Sequence, residues 1–169
     1  EGGIGNDDLT GGGGNDVVLA GAGDDIIRMG FVGEEERQTN QPANDGNDVY
    51  SGGEGIDTLD ASAATAGVEV DLEAGTATVE TIGSDRVEDI ENVVGTDYDD
   101  TVTGDDGDNA IHAGAGDDQL AGGDGDDVID AGDGDDTVIV FASSGNDHDD
   151  GDDVYHGGAG IDAIDLTAL

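Results

Sequence analysis

The chain has 169 residues, of which 44 are acidic and three are arginine, with no lysine and no cysteine, and its formal net charge is −41. This composition excludes a disulfide framework, a thiolate metal site and any mechanism that needs a lysine, and the charge repels nucleic acid and anionic membranes. No apolar run approaches the ~20 residues that a membrane span needs.

A nine-residue repeat of the form Gly-Gly-x-Gly-x-Asp-x-U-x, where U is a large aliphatic residue, begins at residue 2. Three copies cover 2–28, and two more cover 43–60. Five contiguous copies run over 95–139, and the last two cover 148–165. Several of the twelve copies are degenerate, but the common frame sets this chain apart from a disordered acidic one.

Positions 7 to 9 of each copy predict a short strand whose eighth side chain points inward. One such residue per nonapeptide makes a thin apolar ladder and not a globular core. The predicted ladder consists of Leu9, Val18, Ile27, Tyr50, Leu59, Val102, Ile111, Leu120, Ile129, Val138, Tyr155 and Ile164.

Three stretches interrupt the repeat. The segments 29–42 and 140–147 are predicted to be loops. The segment 61–94 contains period-two patterns, as in Val68-Glu69-Val70-Asp71-Leu72, that favour strands. A longer repeat also exists, because 45–63 has a near copy at 150–168. We therefore expect the chain to be an excerpt from a longer array, with neighbouring repeats as partners.

The nonapeptide resembles that of the RTX (repeats-in-toxin, hemolysin-type) family of secreted calcium-binding proteins. The resemblance implies an all-β, right-handed parallel β-roll (β-solenoid) with two nonapeptides per coil and Ca²⁺ bound in the Gly/Asp-rich turns. It also implies an ion between each turn and the next turn on the same side of the roll. Secretion through a type I channel, and folding outside the cell, follow from the same resemblance.

The residue types agree with this chemistry. Glycines permit the positive φ of a tight turn whose carbonyl groups can point inward, and the aspartate at position 6 adds a carboxylate. Ca²⁺ takes six to eight oxygen ligands in flexible geometry, whereas Mg²⁺ demands a smaller octahedron and Zn²⁺ prefers His or Cys. The predicted side-chain ligands are Asp7, Asp16, Asp25, Asp48, Asp57, Asp100, Asn109, Asp118, Asp127, Asp136, Asp153 and Asp162. The predicted carbonyl ligands belong to Gly3, Gly5, Gly12, Gly14, Gly21, Gly23, Gly46, Gly53, Gly55, Gly107, Gly114, Gly116, Gly123, Gly125, Gly132, Gly134, Gly151, Gly158 and Gly160.

Pairing each turn with the next one on its side predicts about eight calcium ions. The pairs are Asp7 with Asp25, Asp16 with Asp48, Asp25 with Asp57, Asp100 with Asp118, Asn109 with Asp127, Asp118 with Asp136, Asp127 with Asp153, and Asp136 with Asp162. Some copies depart from the pattern, among them those with Ile56 and Ile161 at position 5, where Asn or Asp is usual. Asn109 replaces the aspartate, which predicts a weaker site, and Tyr98 replaces the glycine at position 4 of its turn.

The predicted organisation is one continuous solenoid in three segments. Residues 1–60 form a first block, 61–94 a calcium-poor spacer of about two coils, and 95–169 a second block. A separate mini-domain is the alternative for 61–94. We expect a non-catalytic structural module of a secreted or surface protein such as an adhesin, which folds on binding calcium. No membrane insertion is expected, and any cell-surface or matrix partner stays unidentified. Two alternatives stay open: an accessory roll of a secreted protease, lipase or alginate epimerase, and a disordered acidic calcium buffer.

Overall fold

The computed structural model describes residues 1–29, 46–79, 83–140 and 151–166, and these residues form strands and turns without a helix. No helix capable of crossing a membrane occurs within these ranges. The strands are β1 (Gly3–Ile4), β2 (Asp8–Thr10), β3 (Val17–Ala22), β4 (Ile26–Arg28), β5 (Val49–Glu54), β6 (Thr58–Asp60), β7 (Val68–Asp71), β8 (Thr76–Val79), β9 (Ser84–Glu88), β10 (Asn92–Val94), β11 (Thr101–Thr103), β12 (Ala110–Ala115), β13 (Gln119–Ala121), β14 (Val128–Asp133), β15 (Thr137–Ile139), β16 (Val154–Ala159) and β17 (Ala163–Asp165).

The strands form two sheets, and the chain crosses from one sheet to the other at each nonapeptide. The first sheet has ten strands in the order β1-β3-β5-β9-β8-β7-β11-β13-β15-β17, and the second has seven in the order β16-β14-β12-β10-β6-β4-β2. Pairing is parallel everywhere except around β8. The described residues therefore form a parallel β-roll, as the repeat predicts.

The strand register shows that one coil contains two nonapeptides. Ala110 in β12 pairs with Val128 in β14, 18 residues further along the chain. Across the two interruptions, Val17 pairs with Val49 and Val128 with Val154. These separations equal one coil plus the lengths of 29–42 and 140–147, so both segments are inserted without a change of register. Their own conformation lies almost entirely outside the described residues.

The apolar core lies between the two sheets as a single cluster. Most of the predicted ladder is buried, including Tyr50, Leu59 and Ile129, which are fully inaccessible. Leu9 and Tyr155, near the two ends of the described roll, are only partly buried, and Ile164 in β17 is exposed. The ladder prediction therefore holds within the roll. Ile164 continues the register of the buried Val138 but is exposed, because no further strand covers it among the described residues.

The segment 61–94 does not form two regular coils, so that expectation is wrong. From β6 the chain passes to β7, turns back through β8, and reaches β9, with β8 antiparallel to both neighbours. It then enters the second sheet as β10, between β6 and β12. The segment lacks the glycine-rich turn that would carry the chain across to the other sheet. It therefore reverses within the first sheet, through a hairpin that contains Gly75 at φ 68°.

Candidate metal sites

The residues at position 6 of the repeat stack in two columns, one on each side of the roll. In all eight predicted pairs, the backbone N–H of the first residue donates to the side-chain Oδ1 of the second, at 2.7–3.3 Å. The structure thus brings together every pair that the spacing predicts. Each hydrogen bond occupies one carboxylate oxygen and leaves the other, Oδ2, to be accounted for.

The backbone of the turns is held in conformations that favour glycine. All the glycines predicted as carbonyl ligands have φ between 81° and 155°, with the exception of Gly107. A Cβ atom placed on Gly21 would lie 2.3 Å from the carbonyl oxygen of Gly3 in the preceding coil. The same holds at Gly23, where the oxygen of Gly5 would lie 2.6 Å away. Carbonyl oxygens at positions 2 and 4 therefore face the backbone of the next coil, and no side chain could fit between them.

Seven of the stacked aspartates have a buried Oδ2 atom without any hydrogen-bond partner. They are Asp7, Asp16, Asp25, Asp57, Asp118, Asp127 and Asp136. We call the turns that hold them the open turns. In a typical folded protein such groups are paired, because leaving a buried charged oxygen unpaired costs several kcal/mol. In the first turn, the unpartnered oxygen and a backbone carbonyl group both lie close to Gly2. A Cβ atom placed on Gly2 would lie 2.5 Å from Oδ2 of Asp7 and 2.6 Å from the carbonyl oxygen of Ala20.

Burial and neighbouring negative charges disfavour the ionised form of the carboxylates in the open turns. Burial raises the pKa of Asp118 to about 6, and the charges of Asp100 and Asp136 on the adjacent coils act in the same direction. Burial likewise raises the pKa of Asp127 to about 6, assisted by the charge of Asp153. Protein cations do not offset this charge within the described ranges, where the arginines form ion pairs with carboxylates on strands, such as Arg28 with Asp8.

Two turns of the second block supply their own donors, and we call 95–100 and 104–109 the closed turns. In the first, the Thr96 N–H donates to Oδ2 of Asp100 at 2.7 Å, and the Thr96 hydroxyl donates to Oδ1 at 2.9 Å. In the second, the Asp105 N–H donates to the Asn109 side-chain oxygen at 2.8 Å. Neither turn contains a residue with positive φ. Thr96 and Asp105 stand at position 2, where the open turns have glycine.

Two further aspartates are capped by tyrosine. The Tyr50 hydroxyl donates to Oδ2 of Asp48 at 2.8 Å, and the Tyr155 hydroxyl donates to Oδ2 of Asp153 at 2.7 Å. Both tyrosines stand at position 8 of the copy that follows an interruption. The sequence identified them as core residues, and their hydroxyl groups add a polar function that an aliphatic residue would lack.

Two acidic residues of the spacer join the columns although the repeat does not contain them. Asp85 accepts a hydrogen bond from the Asp48 N–H at 2.9 Å, and burial raises its pKa to about 6. Glu91 accepts one from the Asp57 N–H at 2.8 Å, and burial raises its pKa as well. Asp85 lies in β9 and Glu91 directly precedes β10, and each is followed two residues later by a buried valine, Val87 or Val93. This short acid-x-Val pattern is the signal that a search for the full nonapeptide misses.

The donors available in the open turns fit a hard cation. Within the described ranges, no three histidine, aspartate or glutamate side chains converge on one point. An ion in these turns must therefore combine carboxylate and backbone carbonyl oxygens, which is the donor set that Ca²⁺ accepts and Zn²⁺ disfavours. The unpartnered Oδ2 atoms, together with carbonyl oxygens such as that of Ala20 beside Asp7, are donors of this kind.

Comparison with known families supports the same assignment. The family model for the RTX calcium-binding nonapeptide repeat, which describes four copies, matches residues 1–30, 43–64, 87–120, 104–138 and 112–148. Together these matches cover more than half of the chain. A search of curated proteins finds no match.

Proposed function

The chain belongs to the RTX calcium-binding nonapeptide repeat family, and from this membership we propose that it is a structural module of a secreted protein whose folding depends on calcium. Membership makes it a calcium-binding repeat module. The observation that supports the finer proposal is the set of buried, unpartnered Oδ2 atoms in the open turns. A protein that folded by itself would be expected to pair those oxygens or expose them to water.

Six of the eight predicted pairs have such an oxygen on their first residue, and we propose these pairs as calcium sites. They are Asp7–Asp25, Asp16–Asp48, Asp25–Asp57, Asp118–Asp136, Asp127–Asp153 and Asp136–Asp162. At the other two pairs, Asp100–Asp118 and Asn109–Asp127, the donors of the closed turns occupy the place of the ion. We propose that these two bind calcium weakly or not at all.

The coupling of binding to folding follows from the electrostatics. Without calcium, the folded state must bury like charges beside one another, and the thin ladder offers little apolar burial to offset that cost. With calcium, each ion neutralises the carboxylates that it contacts, so the free energy of binding becomes free energy of folding. Because each coil contacts only its neighbours, adjacent sites should bind cooperatively.

The calcium affinity that is typical of extracellular modules supports a location outside the cell. Extracellular calcium modules bind at roughly 10⁻⁴–10⁻³ M, so the chain would stay unfolded at cytosolic calcium and fold outside the cell. Within this scheme, residues 1–60 and 95–169 act as the calcium-binding blocks and 61–94 as the calcium-poor spacer. Export through a type I channel before folding is consistent with this dependence.

A calcium titration monitored by far-UV circular dichroism tests the proposal. We expect the wild-type chain to gain β signal cooperatively. The variants D118A and D127N should need roughly threefold or more calcium to reach the midpoint, because each removes a carboxylate from a site. D106N serves as the control, since Asp106 is exposed and lies in a closed turn. No gain of β signal in the wild type would favour a disordered buffer, and equal midpoints in all variants would contradict the ligand assignment.

A further inference from the structure

The turn that joins β9 to β10 is shorter than the turns of the repeat. The buried valines of the two strands, Val87 and Val93, are six residues apart, whereas successive ladder residues of the repeat, such as Tyr50 and Leu59, are nine apart. Even so, this turn stacks on the turn of Asp57 and continues the same column. The backbone N–H of Asp57 donates to Oε2 of Glu91 at 2.8 Å, and the Asn92 N–H donates to the Asp57 carbonyl oxygen at 2.9 Å. Glu91 thus occupies the position that an aspartate occupies in the coils of the first block.

Asp57 presents an unpartnered oxygen to this short turn. Its side chain is completely buried, Oδ1 accepts the Asp25 N–H at 2.8 Å, and Oδ2 has no hydrogen-bond partner. A Cβ atom placed on Gly52 would lie 2.5 Å from that Oδ2 and 2.1 Å from the carbonyl oxygen of Asp89. Two oxygens therefore flank one point that no side chain occupies.

The backbone of Asp89 has an unusual conformation that places its carbonyl oxygen beside Oδ2 of Asp57. Asp89 has φ 54° and is the one non-glycine residue with positive φ within the described ranges. The carbonyl oxygen of Asp89 and Oδ2 of Asp57 both lie close to Gly52. In the first turn, the carbonyl oxygen of Ala20 and Oδ2 of Asp7 lie close to Gly2 in the same way. A strained conformation at a residue other than glycine persists only where its surroundings demand it. Here it places a carbonyl oxygen beside an unpartnered Oδ2 without the glycine motif.

We propose that Asp57, Glu91 and the carbonyl group of Asp89 form a further calcium site, which fastens the first block to the spacer. The inference rests on the proposed function and extends it to residues outside the nonapeptides. Two carboxylates and a carbonyl are hard oxygen donors, and the absence of nitrogen and sulfur donors disfavours a transition metal. An ion there would hold β10 and the end of β9 against the last coil of the first block.

The number of bound ions tests this site directly. We expect E91Q to bind one calcium ion fewer per chain than the wild type, measured by equilibrium dialysis with elemental analysis. The matched control E69Q removes the same charge from an exposed position in β7 and should retain every ion. D89G keeps the carbonyl and tolerates the positive φ, so it should also retain every ion. Equal stoichiometry in E91Q and E69Q would overturn the proposal.

A crystal structure of the wild-type chain grown in calcium provides the second measurement, which does not depend on whether E91Q folds. We expect an anomalous peak within ligand distance of Asp57 Oδ2 and the Asp89 carbonyl oxygen. Ions in the other open turns with none here would overturn this site alone. A wild-type protein that bound no calcium would overturn the proposed function together with it.

Discussion

The turns 104–109 and 122–127 stack directly on one another in the same column, yet they treat their position-6 side chains differently. In the closed turn, the oxygen of Asn109 accepts the Asp105 N–H. In the open turn, position 2 is Gly123 at φ 113°, and Oδ2 of Asp127 has no partner. The two turns differ at position 2, where positive φ accompanies a carboxylate oxygen without a donor. If the proposed function holds, calcium dependence is set turn by turn by this residue.

The closed turns also border the spacer, so the middle of the chain differs from both flanks. Val68 in β7 donates its N–H to Oδ1 of Asp100 at 2.8 Å. The carbonyl oxygen of Glu91 accepts a hydrogen bond from the Asn109 side chain at 3.0 Å. Protein groups thus satisfy the buried polar atoms here that an ion would have to satisfy in the flanking coils.

Lowering the calcium concentration should give the largest effect. At calcium concentrations just above the folding midpoint we expect amide hydrogens in β11 and β12 to exchange at least about tenfold more slowly than those in β3, β4, β14 and β15, because local opening costs more where no ion can dissociate. Hydrogen exchange followed by mass spectrometry measures this by segment. The protein at saturating calcium is the control, and the difference should shrink there. Uniform exchange along the chain at the lower calcium concentration would contradict the distinction between open and closed turns.

A pair of alanine substitutions tests the same distinction at one position of the repeat. Gly125 has φ 109°, and a Cβ atom there would lie 2.7 Å from the Gly107 carbonyl oxygen. We expect G125A to lower the free energy of unfolding by about 1–2 kcal/mol or more, from the backbone strain alone. In G107A the new methyl group meets only Oδ1 of Asp105 at 3.3 Å, so the change should be small. Denaturant melts at saturating calcium compare the two, and equal losses would be the contrary result.

A change of pH should give the smallest effect, and its sign is fixed by the raised pKa values. Asp85, Asp118 and Asp127 have pKa values of about 6 in the folded chain, above the ordinary 3.8. The folded state therefore binds more protons than the unfolded state between pH 6 and about 4, so stability rises as the pH falls through that range. We expect calcium-free protein to show more β signal at pH 5 than at pH 7.5. A loss of signal on acidification would contradict the burial of these carboxylates.

Much of the roll could be predicted because the repeat is local and regular. The coil of two nonapeptides that the family resemblance implies, combined with the spacing of the aspartates, specified all eight stacked pairs, since a constant coil length places equivalent residues one above another. The prediction of inserted loops at 29–42 and 140–147 followed from the same arithmetic, because the frame resumes after each. Positive φ at the turn glycines was likewise predictable, from the lack of a Cβ atom.

Other features depended on side-chain contacts that the repeat pattern does not specify, or on residues that belong to no repeat. Nothing in the repeat pattern indicated that Tyr50 would cap Asp48, or that Thr96 would close its own turn. The reversal through β8 arises because 61–94 has strand patterns but no turn motif to specify the path between them. Glu91 enters the column only because the short turn before β10 is placed there by its neighbours.

The amino-acid sequence alone determined the family, the period of the coil, the inward ladder and the pairs of acidic residues, because each depends on spacing along one regular axis. Only the tertiary structure decided which carboxylates lack a partner, because that depends on whether a donor from the same turn, a tyrosine or a neighbouring strand reaches the second oxygen. That difference separates the open turns, in which we propose calcium sites, from the closed turns, whose own donors occupy the second oxygen.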